Sequence, residues 1–392
     1  MDNPGLLRSP ARLAAAGIGV FTAAYFLVAA GLLRRWLREA KSPGPLEPVT
    51  FFRPLKPGEP GLARNLEVFL EGVEPGDRIL FGTSGGEGHD LCAALARKFP
   101  NMDISCPPPG GGARLNPKIE KLARLEPLAT HDRWIVLDSD TMADGAFLRS
   151  FRREWQESAA AAFSAPYVFE EGGSLASRLD AAGTELALWP GVALLRAAGR
   201  MDFLTGACMA VKGDVLRHLG GWEAFAGALA DDHALGIAVS RSGGRVGMSR
   251  CVLKLAAPSG STRDWLLHQH RAFATFRRCN PMGSLGLPLT FGLALSFFSA
   301  LAKPLSLRRW ALHLALLACR RAAAGALPGR RTFLAVWLSG LAEPAFWLVA
   351  QLPLPVRWAG KWIAAPQTRA PPLFRYGSRG PGRRGRPRGR PR

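Results

Sequence analysis

The sequence contains no Cys-x-x-Cys pair and no spacing of cysteine and histidine of the kind that holds structural zinc. Its six cysteines are scattered singly along 392 residues. This absence excludes a zinc site built from such motifs. We therefore expect all six cysteines to be ordinary reduced side chains. No internal repeat is evident either.

Acidic residues are scarce relative to basic ones. Asp and Glu number 30 against 51 Lys and Arg, which gives a formal net charge of +21. Part of this excess lies in residues 367–392, a low-complexity, arginine-rich tail that we predict to be disordered. Nucleic acid is one partner that such a tail could bind. In a chain with membrane segments, an anionic membrane surface is favoured, at about 1 kcal/mol per basic residue, and no specific nucleic acid is expected.

Charge is absent from residues 13–33, and acids are absent from 12–33. This stretch is long enough for a helix that crosses the hydrocarbon core, which takes about 20 residues. A cleaved signal peptide is disfavoured, because no small-residue cleavage site follows. The basic flank Arg34-Arg35-Trp36-Leu37-Arg38 predicts that the chain after this helix is cytoplasmic.

Three further apolar segments occupy residues 284–302, 310–327 and 332–354. The first and last could span a membrane. The middle one contains two adjacent arginines, which are costly at the bilayer centre, so a re-entrant or interfacial position is open to it. Glu343 in the last segment is a functional candidate by default, or else satisfies backbone groups freed by Pro344.

These segments divide the chain into four parts: an N-terminal anchor (1–41), a soluble domain (42–280), a C-terminal membrane region (281–366) and the tail (367–392). The start of the soluble domain alternates short β-rich runs with segments of helical periodicity. Strands separated by helices predict an α/β fold with a mostly parallel, Rossmann-like sheet.

The run Trp134-Ile135-Val136-Leu137 is apolar and ends abruptly in Asp138-Ser139-Asp140. A buried strand of this kind delivers both acids to the edge of a sheet, where ligands of open α/β folds bind. Two carboxylates there can share a hard divalent cation that bridges a diphosphate. A chance pair of acids in a surface turn is the alternative.

Lys118 follows Asn116-Pro117, with proline at a helix start. A lysine in the first turn opposes the helix dipole unless an anion lies nearby. The residue is therefore either a phosphate contact or a solvated surface lysine.

Asp231 and Asp232 open a second helix that is predicted to run to about Gly243. Acids at this position commonly cap the helix. One acid could cap while the other acts as a base that accepts a proton from an alcohol acceptor.

His268 and Arg271 are three residues apart on a predicted helix from about Asp264 to Arg278, so they share a face. That face could meet a departing diphosphate. The helix could equally lie on a membrane surface as a basic amphipathic helix, and the two interpretations are compatible.

Taken together and in order, these features resemble the ceramide glucosyltransferase-like family, which includes bacterial hopanoid-associated glycosyltransferases. The likeness extends from about Arg53 to Lys361. The motifs that carry it are Arg53-Pro54-Leu55-Lys56, Asn116-Pro117-Lys118, Asp138-Ser139-Asp140, Gly206 to Ala210, Ala230-Asp231-Asp232, His268 to Arg271 and Val356 to Lys361.

The resemblance implies a GT-A domain facing the cytoplasm from the inner membrane. It implies inverting transfer of a glucose- or N-acetylglucosamine-type sugar from a UDP-sugar to a lipid such as ceramide or a hopanoid. It implies Asp138 and Asp140 as ligands of Mg²⁺ or Mn²⁺; Lys118, Asp138, Asp231 and Glu87 as contacts of the nucleotide sugar; and Asp232 as general base, with His268 and Arg271 stabilising the departing UDP.

Two positions depart from the family pattern. Ala272 stands where the family has a tryptophan after the arginine, and the family's nucleotide-binding acid after the second strand has only Glu87 or Asp90 as replacements. A processive polysaccharide synthase of related fold and a catalytically impaired relative that binds only lipid or nucleotide are the alternative functions.

Overall fold

A computed structural model describes residues 10–37, 44–110, 116–258, 260–358 and 361–363. The arginine-rich tail predicted for 367–392 lies outside these described residues, as do the first nine residues and Ala359-Gly360 of the last family motif.

The helices are α1 (Pro10–Trp36), α2 (Leu62–Glu71), α3 (Glu87–Lys98), α4 (Pro117–Leu125), α5 (Gly145–Ser158), α6 (Leu175–Ala197), α7 (Gly213–His218), α8 (Asp231–Arg241), α9 (Thr262–Cys279), α10 (Pro281–Gly286), α11 (Gly292–Leu301), α12 (Leu307–Ala324) and α13 (Phe333–Gln351). Short 3-10 turns cover Glu126–Leu128, Trp222–Phe225 and Leu287–Thr290. The strands are β1 (Thr50–Pro54), β2 (Arg78–Gly82), β3 (Asp103–Ser105), β4 (Arg133–Leu137), β5 (Thr141–Met142), β6 (Ala162–Ser164), β7 (Tyr167–Phe169), β8 (Cys208–Lys212), β9 (Val246–Met248), β10 (Leu253–Leu255), β11 (Val356–Trp358) and β12 (Lys361–Ile363).

A seven-stranded sheet in the order β3-β2-β1-β4-β8-β6-β9 forms the centre of the domain. Strands β3, β2, β1 and β4 are parallel, β8 is antiparallel to both of its neighbours, and β9 is parallel to β6. A small sheet, β5-β10-β7, lies beside it. The mainly parallel α/β fold predicted from the sequence is confirmed.

Helices cover both faces of the central sheet. One core layer joins it to α2, α3 and α5, and the other joins it to α4, α7 and α8. Because β4 is covered on both faces, its apolar residues from Trp134 to Leu137 are fully buried. The carboxyl ends of β1, β2 and β4 meet at one edge, and the antiparallel β8 brings its amino end to the same edge.

The apolar helices predicted near both ends of the chain are present. Three segments are long and apolar enough to cross a membrane, namely Leu13–Trp36, Pro281–Leu301 and Phe333–Gln351. Helix α12, the predicted segment with two arginines, packs along α1. Its Arg320 is buried and donates to Glu343 Oε2 at 3.1 Å, so Glu343 is paired with a cation rather than with freed backbone groups.

A buried ion pair stabilises the amino ends of the parallel strands. Arg152 of α5 donates to Asp77 Oδ2 at 2.7 Å and to Asp77 Oδ1 at 2.8 Å, and it also donates to the carbonyl of Glu47. Asp77 in turn accepts from the backbone nitrogens of Val49 and Glu74, each at 3.0 Å. The side chains of the pair are 2% and 0% exposed.

We expect Arg152→Met to lower the free energy of unfolding by about 3–5 kcal/mol, because it leaves the Asp77 carboxylate buried without its cation. The measurement is the melting temperature of the detergent-purified protein. Arg149→Ala is the matched control on the same helix, since Arg149 pairs with Glu74 at 3.6 Å on the surface and such pairs contribute less than about 1 kcal/mol. Equal shifts for the two variants would contradict the prediction.

Candidate active site

Two carboxylates stand at the carboxyl end of β4, as the sequence predicts. The Asp138 backbone nitrogen donates to the Ala207 carbonyl at 3.1 Å, which joins this end of β4 to the segment that enters β8. The Thr141 hydroxyl and backbone nitrogen both donate to the Asp138 carbonyl, at 2.7 and 3.2 Å. These bonds form a tight turn that holds Asp138 and Asp140 at the edge of the sheet.

Lys118 lies between acids from two different elements. Its Nζ atom is 2.8 Å from Asp138 Oδ1 and 3.3 Å from Asp231 Oδ2, and it donates to the Gly206 carbonyl at 3.1 Å. Burial alone would lower the pKa of Lys118, but Asp138 and Asp231 raise it above its ordinary value. The lysine is therefore a charged member of the cluster and not a solvated surface residue.

Asn116 positions both Lys118 and Asp231. Its Oδ1 atom accepts from the backbone nitrogens of Lys118 and Ile119, at 3.0 and 3.4 Å, and so caps α4. Its Nδ2 atom donates to Asp231 Oδ1 at 3.3 Å and to the Ala228 carbonyl at 3.0 Å. The sequence predicts a helix start at Pro117, but shows neither the cap by Asn116 nor its contact with Asp231.

The two acids at the start of α8 have different surroundings. Asp231 is held by Lys118 and Asn116. Asp232 accepts from the His233 backbone nitrogen at 2.8 Å and faces Gly206, where a Cβ atom would come within 3.1 Å of Asp232 Oδ2. The N-cap residue is Ala230, so neither acid is the capping residue of α8.

Burial and mutual repulsion disfavour the charged forms of two of these acids. Burial and then Asp231 raise the pKa of Asp232 to about 7. Burial, followed by Asp138 and Glu59, raises the pKa of Asp140 to about 6. Such values are typical of groups that exchange protons or bind cations near neutral pH.

The Asp138–Asp140 turn fits a divalent cation. Asp140 Oδ1 is buried without a hydrogen-bond partner, so a carboxylate oxygen is left for a ligand. No cluster of three or more potential ligands among His, Cys, Asp and Glu occurs in the described parts of the chain. Mg²⁺ commonly binds to one or two carboxylates, with substrate phosphates and water as the other ligands.

Arg53 lies beneath this turn and is fully buried. It donates to the Thr141 hydroxyl at 2.6 Å, while its Nε and Nη2 atoms have no hydrogen-bond partner. Burial lowers the pKa of Arg53 to about 10, and Asp138 and Asp140 act in the opposite direction. The guanidinium thus offsets part of the repulsion between the two carboxylates.

His268 on α9 meets an acid that the sequence does not single out. Its Nδ1 atom is 2.8 Å from both carboxylate oxygens of Asp180 on α6. Gln269 Nε2 donates to the same Asp180 Oδ1 at 2.7 Å and to the Thr184 hydroxyl at 3.0 Å. No local signal in the sequence of α6 distinguishes Asp180 from Glu185, the other acid of that helix.

Arg271 lies on α9, three residues after His268. Its guanidinium carbon lies 5.0 Å from the ring centre of Trp358 on β11. Burial lowers the pKa of Arg271, while Asp180, Tyr167 and Asp140 act to raise it. The charge of Asp140 thus reaches Arg271, which places the arginine near the predicted metal ligands.

Glu87, the predicted nucleotide contact, stands apart from this cluster. It is exposed at the first turn of α3, after β2, and Asp90 is exposed one turn further along. Within the described residues, no hydrogen bond or ion pair joins Glu87 to the cluster around Lys118. Its role in nucleotide binding stays a prediction.

A family model described as Glycosyl transferase family 21 matches residues 15–366. Among solved structures, the mannosyltransferase PcManGT from Pyrobaculum calidifontis, in complex with GDP-Man and Mn²⁺, is similar, with 16% identity and a TM-score of 0.49. The match covers 86% of this chain and 97% of that chain. That likeness is too distant to bear on individual site residues.

Proposed function

Since the chain belongs to glycosyl transferase family 21, the family predicted from its ordered motifs, we propose that it transfers a glucose- or N-acetylglucosamine-type sugar from a UDP-sugar to a membrane lipid. The acceptor is a hydroxyl group of a ceramide-like or hopanoid-like molecule, and the anomeric centre is inverted. The observation that carries the proposal is the cluster of Lys118, Asp138, Asp231 and Asp232 at the edge of the sheet.

The donor diphosphate is assigned to the Asp138 side of the cluster. Asp138 and Asp140 would hold the divalent cation, which when bound supplies positive charge to the diphosphate oxygens. Lys118 is already charged and 2.8 Å from Asp138, so it can contact a phosphate without a change of protonation. Asp231 fixes the position of this lysine.

Asp232 is the proposed general base. Asp231 is engaged by Lys118 and Asn116, whereas the Asp232 Oδ2 atom faces the small residue Gly206. The carboxylate takes the proton of the acceptor hydroxyl while the hydroxyl oxygen bonds to the anomeric carbon. The bond from that carbon to the UDP oxygen breaks on the opposite face, which inverts the centre.

His268 and Arg271 are proposed to stabilise the departing UDP. A His268 Nδ1 that donates to Asp180 leaves Nε2 as the ring atom available to a phosphate. The charge of Arg271 would also stabilise the departing diphosphate, and preorganised charge of this kind is commonly a large contribution to catalysis. Asp180 is a positioning residue, because it acts through His268 and Gln269.

We expect Asp180→Ala to lower kcat/KM roughly tenfold to a hundredfold, because a lost partner of a buried polar group costs about 1–3 kcal/mol. The measurement is initial-rate kinetics on purified protein at saturating acceptor. Glu171→Gln is the control, since Glu171 is exposed and pairs only weakly with Arg178 at 3.7 Å. Unchanged kinetics for Asp180→Ala at an unchanged melting temperature would rule out the positioning role.

The lipid acceptor is favoured by where the site lies. Helices α6 and α9, which carry Asp180 and His268, pack directly against the apolar α13, and α6 also packs against α1. Asp180 and His268 are therefore on helices that contact the apolar segments long enough to cross a membrane. We propose in addition that the protein lies in the inner membrane with its soluble domain in the cytoplasm. The tail beyond residue 366 would bind anionic lipids.

The decisive experiment offers radiolabelled UDP-glucose, UDP-N-acetylglucosamine or GDP-mannose to purified protein in vesicles containing ceramide, a hopanoid polyol or diacylglycerol. A single glycosylated lipid from a UDP-sugar is expected, with Asp232→Asn as the inactive control. A long polymer would instead identify a processive synthase. Donor binding without any lipid product would point to the catalytically impaired relative.

A further inference from the structure

The amino end of α13 is tied to the α/β domain, by which we mean the described residues from 44 to 279. Arg331, two residues before the helix, forms a buried ion pair with Glu185 of α6, and its Nη2 atom is 2.6 Å from Glu185 Oε1. The same oxygen accepts from the Phe169 backbone nitrogen of β7 at 2.8 Å. This end of α13 therefore lies on the domain.

The carboxyl end of α13 is tied to the same domain. Ala350 packs in one apolar cluster with Leu229, which is two residues before Asp231 of the site. Arg277 of α9 donates to the Gln351 carbonyl at 2.8 Å. Beyond the helix, Trp358 stacks on Arg271.

These contacts are incompatible with a helix that crosses the bilayer. Nineteen residues extend about 28 Å as an α-helix, close to the thickness of a hydrocarbon core of about 30 Å. A crossing helix of this length would place its ends at opposite membrane faces. We propose that α13, despite its apolar composition, lies along the leaflet on the side of the α/β domain and is a lipid-contacting surface.

The direction of α12 follows from its contacts with α1. Arg34, near the domain end of α1, donates to the Ala322 carbonyl, near the carboxyl end of α12. Thr22, twelve residues or about 18 Å earlier in α1, donates to the Leu289 carbonyl before α11. The segment Pro281–Leu301 thus leads away from the domain, and α12 returns to it.

The crossing elements of the described chain are then α1, the segment Pro281–Leu301 and α12. By composition α13 is the better candidate for a membrane-crossing helix, because α12 contains arginines. The contacts instead favour α12 as the crossing helix. Arg320 is near the domain end of α12, where it is buried and neutralised by Glu343 and donates to the Ser339 hydroxyl at 3.3 Å. Both of those partners are on α13, so the helix in the leaflet supplies the counter-charge for the helix that crosses.

The lipid-contacting surface is formed by apolar side chains at both ends of α13. Phe333 and Leu334 are exposed at its start, and Leu348 and Val349 are exposed near its end. The middle of the helix is covered, because α6 and α9 pack against it, as do α11 and α12. Acyl chains of the leaflet on the domain's side are the partners that fit these exposed positions.

The experiment uses engineered cysteines in the full-length chain and a membrane-impermeant maleimide on sealed vesicles, with labelled peptides identified by mass spectrometry so that the native cysteines do not interfere. Arg330→Cys and Leu354→Cys report the two ends of α13, and both positions are exposed. Arg97→Cys marks the domain, and Leu305→Cys marks the turn between α11 and α12, where Leu305 is 97% exposed. Labelling of detergent-purified protein establishes first that each thiol reacts.

In vesicles that expose the domain, positions 330, 354 and 97 should label together, and position 305 should label only after permeabilisation. Vesicles of the opposite orientation should give the reverse pattern. Labelling of 330 and 354 from opposite sides would show that α13 crosses and would overturn the proposal. Labelling of 305 together with 97 would equally overturn it, because the hairpin of α11 and α12 would then not cross.

Discussion

Replacing Asp232 with asparagine should lower kcat for sugar transfer by about 10²–10⁴, the usual contribution of a general base. The substitution keeps the size of the side chain and its hydrogen bond with the His233 nitrogen, but removes the group that accepts the hydroxyl proton. The measurement is the initial rate of lipid glycosylation at saturating donor and acceptor. Donor affinity, measured by calorimetry, should change little.

The pH dependence of the wild type provides a second readout. Because burial and Asp231 raise the pKa of Asp232 to about 7, the residue is a carboxylate above that pH and a neutral acid below it. Only the carboxylate can accept a proton, so kcat/KM should fall about tenfold per pH unit on the acid side.

Asp231→Asn serves as the matched control. It removes an adjacent acid that pairs with Lys118, so it should weaken donor binding and lower the pKa of Asp232, which shifts the acid limb to lower pH. Full transfer by Asp232→Asn would refute the assignment. An acid limb of the pH profile that is unchanged in Asp232→Asn would refute it as well.

Chelation of divalent cations should abolish transfer, and Asp140→Asn should reduce it by about 10³ or more, since a metal ion stabilises developing charge by several kcal/mol. Asp140 contributes a buried oxygen without a protein partner, and Asp138 is already shared with Lys118. Loss of Asp140 therefore removes the carboxylate that is available to a cation.

The test measures activity in excess EDTA and after addition of Mg²⁺ or Mn²⁺, together with Mn²⁺ binding by paramagnetic resonance. Glu59→Gln is the control, because Glu59 is an acid close to Asp140 that pairs with Lys56 at 2.9 Å. We expect it to keep both activity and metal dependence. Undiminished turnover in EDTA would exclude a metal role for the turn.

Local signals and topology agree for Lys118 and Asp138, which lie in contact in the structure. The apolar run of β4 ends at Leu137, so Asp138 had to emerge at the sheet edge. Proline at the start of α4 places Lys118 in a first turn, and adjacent parallel strands bring such turns together. No local pattern reveals that β8 is antiparallel, although that direction brings Gly206 beside Asp232.

The contact between Asp180 and His268 could not be predicted from local patterns in the same way. Asp180 and His268 are 88 residues apart in sequence, and their contact depends on how α6 and α9 pack. Membrane topology likewise depends on contacts between elements that are distant in sequence. Composition alone makes α13 a candidate span, whereas the contacts of Arg331 and Gln351 indicate where its ends lie.

Helix α6 carries Asp180, which holds His268, and Glu185, which holds Arg331 at the start of α13. The two acids are separated by five residues, or about 7.5 Å of helix axis. Because both acids are on α6, a tilt of this helix displaces them together. The acid that contacts His268 and the acid that contacts the start of α13 therefore move together whenever α6 moves.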